Sequence, residues 1–275
     1  MHQNNSWIVV LLGFLVCLSA LEAGDEAVQR RSETIAAPVT VTVLYDNYRY
    51  KTGTTTDWGF SCLIEGTEKT ILFDTGTRPH ILAANVDALK AAVNKAEMIV
   101  LSHEHGDHTG GLQWALQKTD HPQVFFPVSF PPELVERVKR GGGIPVPVNA
   151  AVRLCRGVWS TGEMGAGIRE HSLVINTKKG LVIVTGCSHP GILNIIRRAR
   201  ELFDFAPVKL VFGGFHLGRL SPGEARETAR EMQALKVQSC GASHCTGEHV
   251  INAMAEVFGK DFVKIGTGRV LAIDP

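Results

Sequence analysis

The sequence predicts a layered α/β sandwich, and three observations lead to it. The 275 residues suffice for one large domain with its own core, since a domain of this size buries about 70–75% of its unfolded surface. Short apolar, β-branched runs dominate the first half, and strands alternate with amphipathic helices in the second. Several of the 28 glycines, among them Gly106, Gly186, Gly191, Gly213, Gly214 and Gly247, fall in short segments that also hold His, Asp or Ser, where they mark sharp turns that aim side chains.

The elements follow in order. An uncharged run from Trp7 to Leu21 falls short of the about 20 apolar residues of a membrane span. It reads as the apolar core of a secretory signal over residues 1–23, with Leu21–Gly24 as the cleavage region, or else as an uncleaved N-terminal anchor. The expectation is therefore an exported, periplasmic or extracellular protein, in contact with a membrane only if that segment is retained. Cys17 lacks the small residue before it that a lipoprotein signal carries, so no lipidation is expected there. Residues 24–37 are polar and Ala-rich and read as a linker, and 38–275 as the domain. Val39–Leu44, Gly59–Glu65 and Thr70–Phe73 read as strands. Residues 80–95 have helical apolar spacing, Met98–Ser102 is a short strand, and Thr109 looks like the cap of a helix to Leu116. Strands are expected at 122–128 and 171–185. The Gly- and Pro-rich stretch 141–167 reads as a long surface loop or lid. Helices at 192–203, 222–235 and 249–258 and a strand at 209–212 complete the order.

Charge excludes some partners. The 28 Lys and Arg nearly balance 27 Asp and Glu, with no long basic or acidic run, so no nucleic-acid groove is expected and the partner is a small-molecule substrate. Beyond Cys17, five cysteines remain: Cys62, Cys155, Cys187, Cys240 and Cys245. An odd count leaves at least one thiol unpaired or paired between chains, and a domain this large needs no disulfide framework.

The chemistry concentrates in Ser102-His103-Glu104-His105-Gly106-Asp107-His108-Thr109-Gly110-Gly111. His103 and His105 lie two apart on an extended segment, face one way, and can share a metal. Asp107 and His108 follow a glycine that lets the chain turn, so they can reach a second metal nearby. Three histidines and an aspartate within six residues after an apolar strand are a poor match for core packing.

This segment resembles the His-x-His-x-Asp-His motif of the metallo-β-lactamase superfamily, and the resemblance extends over about residues 39–270. It implies a four-layer αββα sandwich and a binuclear metal-dependent hydrolase with two divalent ions, zinc. Ile71–Gly76 looks like the family's first motif, which implies that Asp74 supports the metal loop from outside the ligand set. Further on, this chain departs from the common pattern. The strand Leu181–Val184 ends in Thr185-Gly186-Cys187-Ser188-His189, so Cys187 stands where many members carry a bridging Asp. As a thiolate, Cys187 would suit zinc. His189 is the expected third ligand of the first metal. His171 is the reserve, at what looks like an ordinary strand entry. His244, in Ser243-His244-Cys245-Thr246-Gly247, would complete the second metal with Asp107 and His108. His216, in Phe212-Gly213-Gly214-Phe215-His216-Leu217, would touch substrate or support a ligand. Together these later motifs are similar to the dihydropterin/ribofuranosyl-aminobenzene phosphate synthase-like branch, which guides ligands and fold more than substrate.

The implied chemistry is hydrolysis by metal-activated water, with Asp107 as both ligand and acceptor of that water's hydrogen bond. Three functions compete: a hydrolase for phosphoesters or related small esters, a β-lactamase or lactonase, and a non-catalytic zinc-binding protein. Export makes the second attractive, whereas the later motifs argue against it. An intact ligand set argues against the third.

Overall fold

Alternation along the strands decides the architecture. The structure, a computed structural model, describes residues 30–275; the signal or anchor reading, Cys17 and the start of the linker lie outside them. One sheet has seven strands in the order β13 (Val270–Ile273), β1 (Val39–Tyr45), β2 (Ser61–Glu65), β3 (Ile71–Phe73), β4 (Met98–Val100), β5 (Gln123–Pro127) and β6 (Ile144–Val148). The other has six, in the order β12 (Val237–Ser243), β11 (Val208–Gly214), β10 (Gly180–Thr185), β9 (Leu173–Thr177), β8 (Val158–Ser160) and β7 (Val152–Cys155). Strands β3 to β6 run parallel, as do β10 to β12.

Three cores separate four layers. Between the sheets lie Val41, Ile64, Phe73 and Val100 of the first and Leu173, Val182, Val184 and Phe212 of the second. Residues at odd offsets point outward, as the period of two requires. Leu63, Leu72 and Ile99 thus meet helices α1 (Pro79–Leu89), α3 (Leu112–Lys118) and α4 (Pro132–Arg140), after the single turn α2 (Gly106–Thr109). Leu181, Ile183 and Val211 meet α5 (Ile192–Leu202), α6 (Pro222–Ala234) and α7 (Glu248–Phe258). The result is the αββα sandwich of the metallo-β-lactamase fold.

Several expectations need correction. The stretch 141–167, expected as a surface loop, contains β6, β7 and β8. Its composition misleads because β6 is an edge strand, where Pro145 and Pro147 are tolerated for want of a second neighbour. Thr109 does not cap a helix; it ends α2, and α3 starts only after Gly111. The helix expected to reach residue 95 stops at Leu89, with Lys90 in the left-handed region, and a 3₁₀ turn follows at Val93–Lys95. Helix α4 was not anticipated; Pro132 starts it and only Leu134 and Val138 are fully buried.

Residues 30–37, the end of the expected linker, lie against the domain. Ile35 is buried in the core between the sheets, and Asn176 Nδ2 donates to the carbonyls of Arg30, Arg31 and Glu33 at 2.9, 3.0 and 3.1 Å. No helix of the described residues is long and apolar enough to cross a membrane.

Candidate metal centre

Parallel strands deliver their following loops to one edge, and here both sheets do so at the same end. The loop after β4 carries His103, His105, Asp107 and His108, and β3 is followed by Asp74. From the second sheet come Cys187 and His189 after β10, His216 after β11 and His244 after β12.

These side chains form overlapping clusters whose ligand atoms lie within 4.8 Å of one another: His103 with His105 and His189; Asp107 with His108, Cys187 and His244; and Cys187 with His189 and His216. In the first, ring centroids are 4.7 to 4.9 Å apart. In the second, Cys187 Sγ is 3.3 Å from His108 Nε2 and 3.4 Å from His244 Nε2, and those two nitrogens are 3.2 Å apart. Asp107 Oδ2 is 3.3 Å from His244 Nε2 and 3.6 Å from His108 Nε2.

The outer nitrogens fix the tautomers. Asp74, fully buried, accepts from the Ser102 amide at 2.7 Å and the Ser102 hydroxyl at 2.8 Å, and it pairs with His108 Nδ1 at 2.7 Å. Ser102 Oγ, having donated to Asp74, accepts from His103 Nδ1 at 2.9 Å. His244 Nδ1 donates to Asn47 Oδ1 at 2.9 Å. Each of these rings therefore turns an Nε2 lone pair inward, the arrangement that ligating histidines require. His103 Nε2 and His189 Nε2 are buried without any hydrogen-bond partner. An orphaned buried nitrogen costs about 1–3 kcal/mol, so a pair of them aimed into one cluster fits a cation.

Burial and neighbouring charges set the protonation of these groups. Burial, joined by the charges of His108, His189 and His105, holds His103 well below the ordinary histidine value. Burial also lowers His189 to about 4, with His216 and His105 adding to it. Burial pulls His108 down as well, but Asp74, joined by Asp107 and Glu170, outweighs it and lifts His108 to about 9, so an ion at Nε2 would have to displace a proton. Burial raises Asp107, yet His244 and His108 hold it well below the usual carboxylate range. A hydrogen bond with Cys245 and burial raise Cys187, whereas hydrogen bonds from Cys187 and His216 draw Cys245 down against its burial. All five cysteines of the described residues are free.

Close packing accounts for two glycines. A Cβ on Gly186 would lie 2.1 Å from Ser102 Oγ, and one on Gly214 would lie 2.3 Å from the Gly186 carbonyl and 2.8 Å from Cys245 Sγ. At these strand ends only glycine lets the two loops meet.

His171 stays outside the clusters. It is buried beneath them, with Nε2 donating to the Leu101 carbonyl at 3.0 Å and Nδ1 paired with Ser160 Oγ at 2.8 Å, so both nitrogens are used. Burial lowers it to about 4.

Three participants escaped the sequence reading. Asn47 follows β1 and fixes His244, also accepting from the Gly59 amide at 3.1 Å. Trp58, 56% exposed, donates from Nε1 to Asp107 Oδ2 at 2.8 Å and lies 5.2 Å from the His244 ring. Glu170, fully buried, accepts from the amides of Cys187, Ser188 and His189 at 3.0, 2.9 and 2.8 Å. Burial raises Glu170 to about 7 against those bonds. None sits in a recognisable motif; the nearest signal was a Trp-Gly pair at Trp58-Gly59 just before β2.

Residues 58–149 match the family described as the metallo-beta-lactamase superfamily. The chain is 30% identical over 262 residues to a Methanocaldococcus jannaschii protein named 7,8-dihydropterin-6-methyl-4-(beta-D-ribofuranosyl)-aminobenzene-5'-phosphate synthase, spanning 78% of this chain and 89% of that one. Among solved structures, it is similar to a metal-dependent hydrolase of the beta-lactamase superfamily, with a TM-score of 0.72 and 24% identity over 86% of this chain and 100% of the other. It is also similar to the Bacillus subtilis metallo-beta-lactamase fold protein YhfI, with a TM-score of 0.57 and 15% identity over 86% and 99%. Both structural likenesses concern the fold.

Proposed function

The chain belongs to the metallo-beta-lactamase superfamily, and from that premise we propose that it is a binuclear metal-dependent hydrolase of a phosphoester or related small-molecule ester. The observation that carries this reading is the pair of adjoining clusters, His103/His105/His189 and Asp107/His108/Cys187/His244, with orphaned Nε2 atoms aimed inward. Three imidazoles in one, and two imidazoles, a carboxylate and a thiol that a bound ion would ionise in the other, are a donor set for zinc. Two such ions, when bound, would supply hydroxide at neutral pH and polarise the C=O or P=O bond whose carbon or phosphorus is attacked.

The chain's own residues do the rest. Asp107 stays ionised and can accept a hydrogen bond from the attacking water, while Trp58 Nε1–H fixes that carboxylate's orientation. His216, exposed at the mouth and 4.4 Å from the His189 ring, is placed to meet an anionic oxygen of the substrate. Beside the His loop, Glu104, Ser129, Phe130, Gly167 and Arg169 bound a pocket of about 110 Å³ that offers both charges to the rest of the molecule.

A phosphate-bearing substrate is favoured over a β-lactam by the relative whose name carries a phosphate ester. That relative is named a synthase, so a second reading is condensation rather than hydrolysis on a phosphate-bearing substrate. Elemental analysis after purification without chelator should find about two zinc ions per chain. A panel of bis-nitrophenyl phosphate, nitrophenyl phosphate, a lactone and nitrocefin should show turnover of the phosphoesters first. Less than half an equivalent of metal after reconstitution, or turnover of nitrocefin alone, overturns the reading. Export is proposed from Trp7–Leu21, and a reporter fused to residues 1–35 and active only outside the cytoplasm should give signal; silence rejects it.

A further inference from the structure

One buried carboxyl group joins neither cluster as a ligand and yet holds the backbone of a loop that serves both. Glu170 Oε1 accepts from the amides of Cys187 and Ser188, and Oε2 from that of His189. The three amides are consecutive. Cys187 belongs to the second cluster and His189 to the first, so one side chain grips a three-residue peptide that contributes to both, as the His103–His108 loop does from the other sheet. Ser188, between them, is in the left-handed region at φ 66°, and its hydroxyl donates to the Gly214 carbonyl at 2.7 Å. A non-glycine residue there costs on the order of 1–3 kcal/mol and persists only where its surroundings hold it. Bonds from three consecutive amides to one buried side chain supply that hold.

The carboxylate is itself anchored. The backbone of Glu170 pairs with Met164 in both directions, at 2.9 and 3.0 Å. The next residue, His171, donates its amide to the Ser102 carbonyl at 3.0 Å and its Nε2–H to the Leu101 carbonyl. Ser102 directly precedes His103 and bonds its ring. The dipeptide Glu170-His171 thus joins the loop of the first sheet at one residue and the loop of the second at the other.

We propose that Glu170 is a positioning residue that sets the spacing between the two clusters by fixing the Cys187–Ser188–His189 peptide relative to the His103–His108 loop. This rests on the metal reading above. It makes the clusters interdependent: loss of the carboxylate weakens both, although it ligates neither. Gln is the diagnostic replacement. Its oxygen can serve one side of the peptide, but its NH₂ must then face the amide of His189 or those of Cys187 and Ser188, so donor meets donor.

The test uses the full chain loaded with cobalt(II) and with zinc. Affinities are measured by competition with a chromophoric chelator, and the cobalt spectrum reports thiolate and imidazole ligation. Glu170→Gln should remain folded by circular dichroism, bind both ions ten- to a hundredfold more weakly, and lose intensity in the thiolate-to-cobalt band. Asn176→Ala is the comparison: it removes three partly buried bonds to the carbonyls of Arg30, Arg31 and Glu33, none of them a cluster residue, and should lower stability with the cobalt spectrum unchanged. If Glu170→Gln does not fold, Glu170→Asp takes its place, because a carboxylate one methylene shorter cannot span all three amides. A variant with wild-type affinity and spectrum overturns the proposal. So does the same spectral loss in Asn176→Ala, which would make the effect one of general stability. If the wild type binds no metal, the functional reading falls and this proposal with it; if the wild type binds and the variant matches it, this proposal alone falls.

Discussion

Four residues at the site share an unusual backbone. Asp74, Ser188, His216 and His244 have φ of 53°, 66°, 52° and 48°, and each lies just past the end of a parallel strand. Side chains at these positions are turned back across the sheet edge at a cost of about 1–3 kcal/mol each. Asp74 shows what that strain achieves, since from one left-handed position it orients both Ser102 and His108. Asn tolerates the same conformation. Asp74→Asn should therefore keep the turn while losing the charge opposite His108, and zinc affinity should fall ten- to a hundredfold in a chelator competition. His171 gives a prediction of another kind. Folded, it accepts a proton only near 4; unfolded, near 6.5. Its contribution is thus complete above pH 6.5 and is lost as pH falls toward 4, by about 3 kcal/mol at most. Glu170, raised to about 7, and Asp46, raised to about 6, act the other way, stabilising at low pH and ceasing to as pH rises. The difference between wild type and His171→Gln isolates the histidine: urea unfolding should show a smaller loss from pH 7 to pH 4 in the variant.

At the scale of elements, the seam between the loops after β4 and β10 is closed by Gly186. Gly186→Ala must displace Ser102, so both unfolding free energy, by about 1–3 kcal/mol, and zinc content should drop; unchanged zinc content would show that Ser102 can yield. Strands and helices with strong periodicity were legible: β1, β3, α5 and α6 lie within a residue or so of the sequence reading, because each buries one regular face. The edge strands β6 and β7 were not, since a strand with one neighbour tolerates proline and needs less apolar surface. The clustering of His103, His105, Asp107, His108, Cys187, His189 and His244 was anticipated, largely through motifs. Asn47, Trp58 and Glu170 were hidden because each acts through a contact set by tertiary structure: Asn47 meets His244 from 197 residues away. A carboxylate whose partners are backbone amides leaves no pattern in side-chain types.

Across the whole molecule, the clusters straddle the junction of the two sheets, with donors from both. An ion that binds the folded form alone stabilises it by about 4 kcal/mol at a thousand times its dissociation constant. Zinc-loaded protein should melt well above chelator-treated protein, and the gap should shrink in His189→Ala and in His108→Ala alike; equal melting temperatures would place the ion elsewhere. The same arrangement has a consequence in time. His108 and His244 are 136 positions apart. At about 5–20 residues per second, a ribosome that has just made the first needs roughly 7–27 s to make the second. Throughout that interval the His103–His108 segment exists without the later donors. A centre of the proposed composition therefore cannot be complete until His244 has been made and has folded back onto the earlier loop. On that reading the ions would be drawn from whichever compartment the polypeptide folds in, so the metal supply there, more than the supply early in synthesis, would decide which element the protein carries.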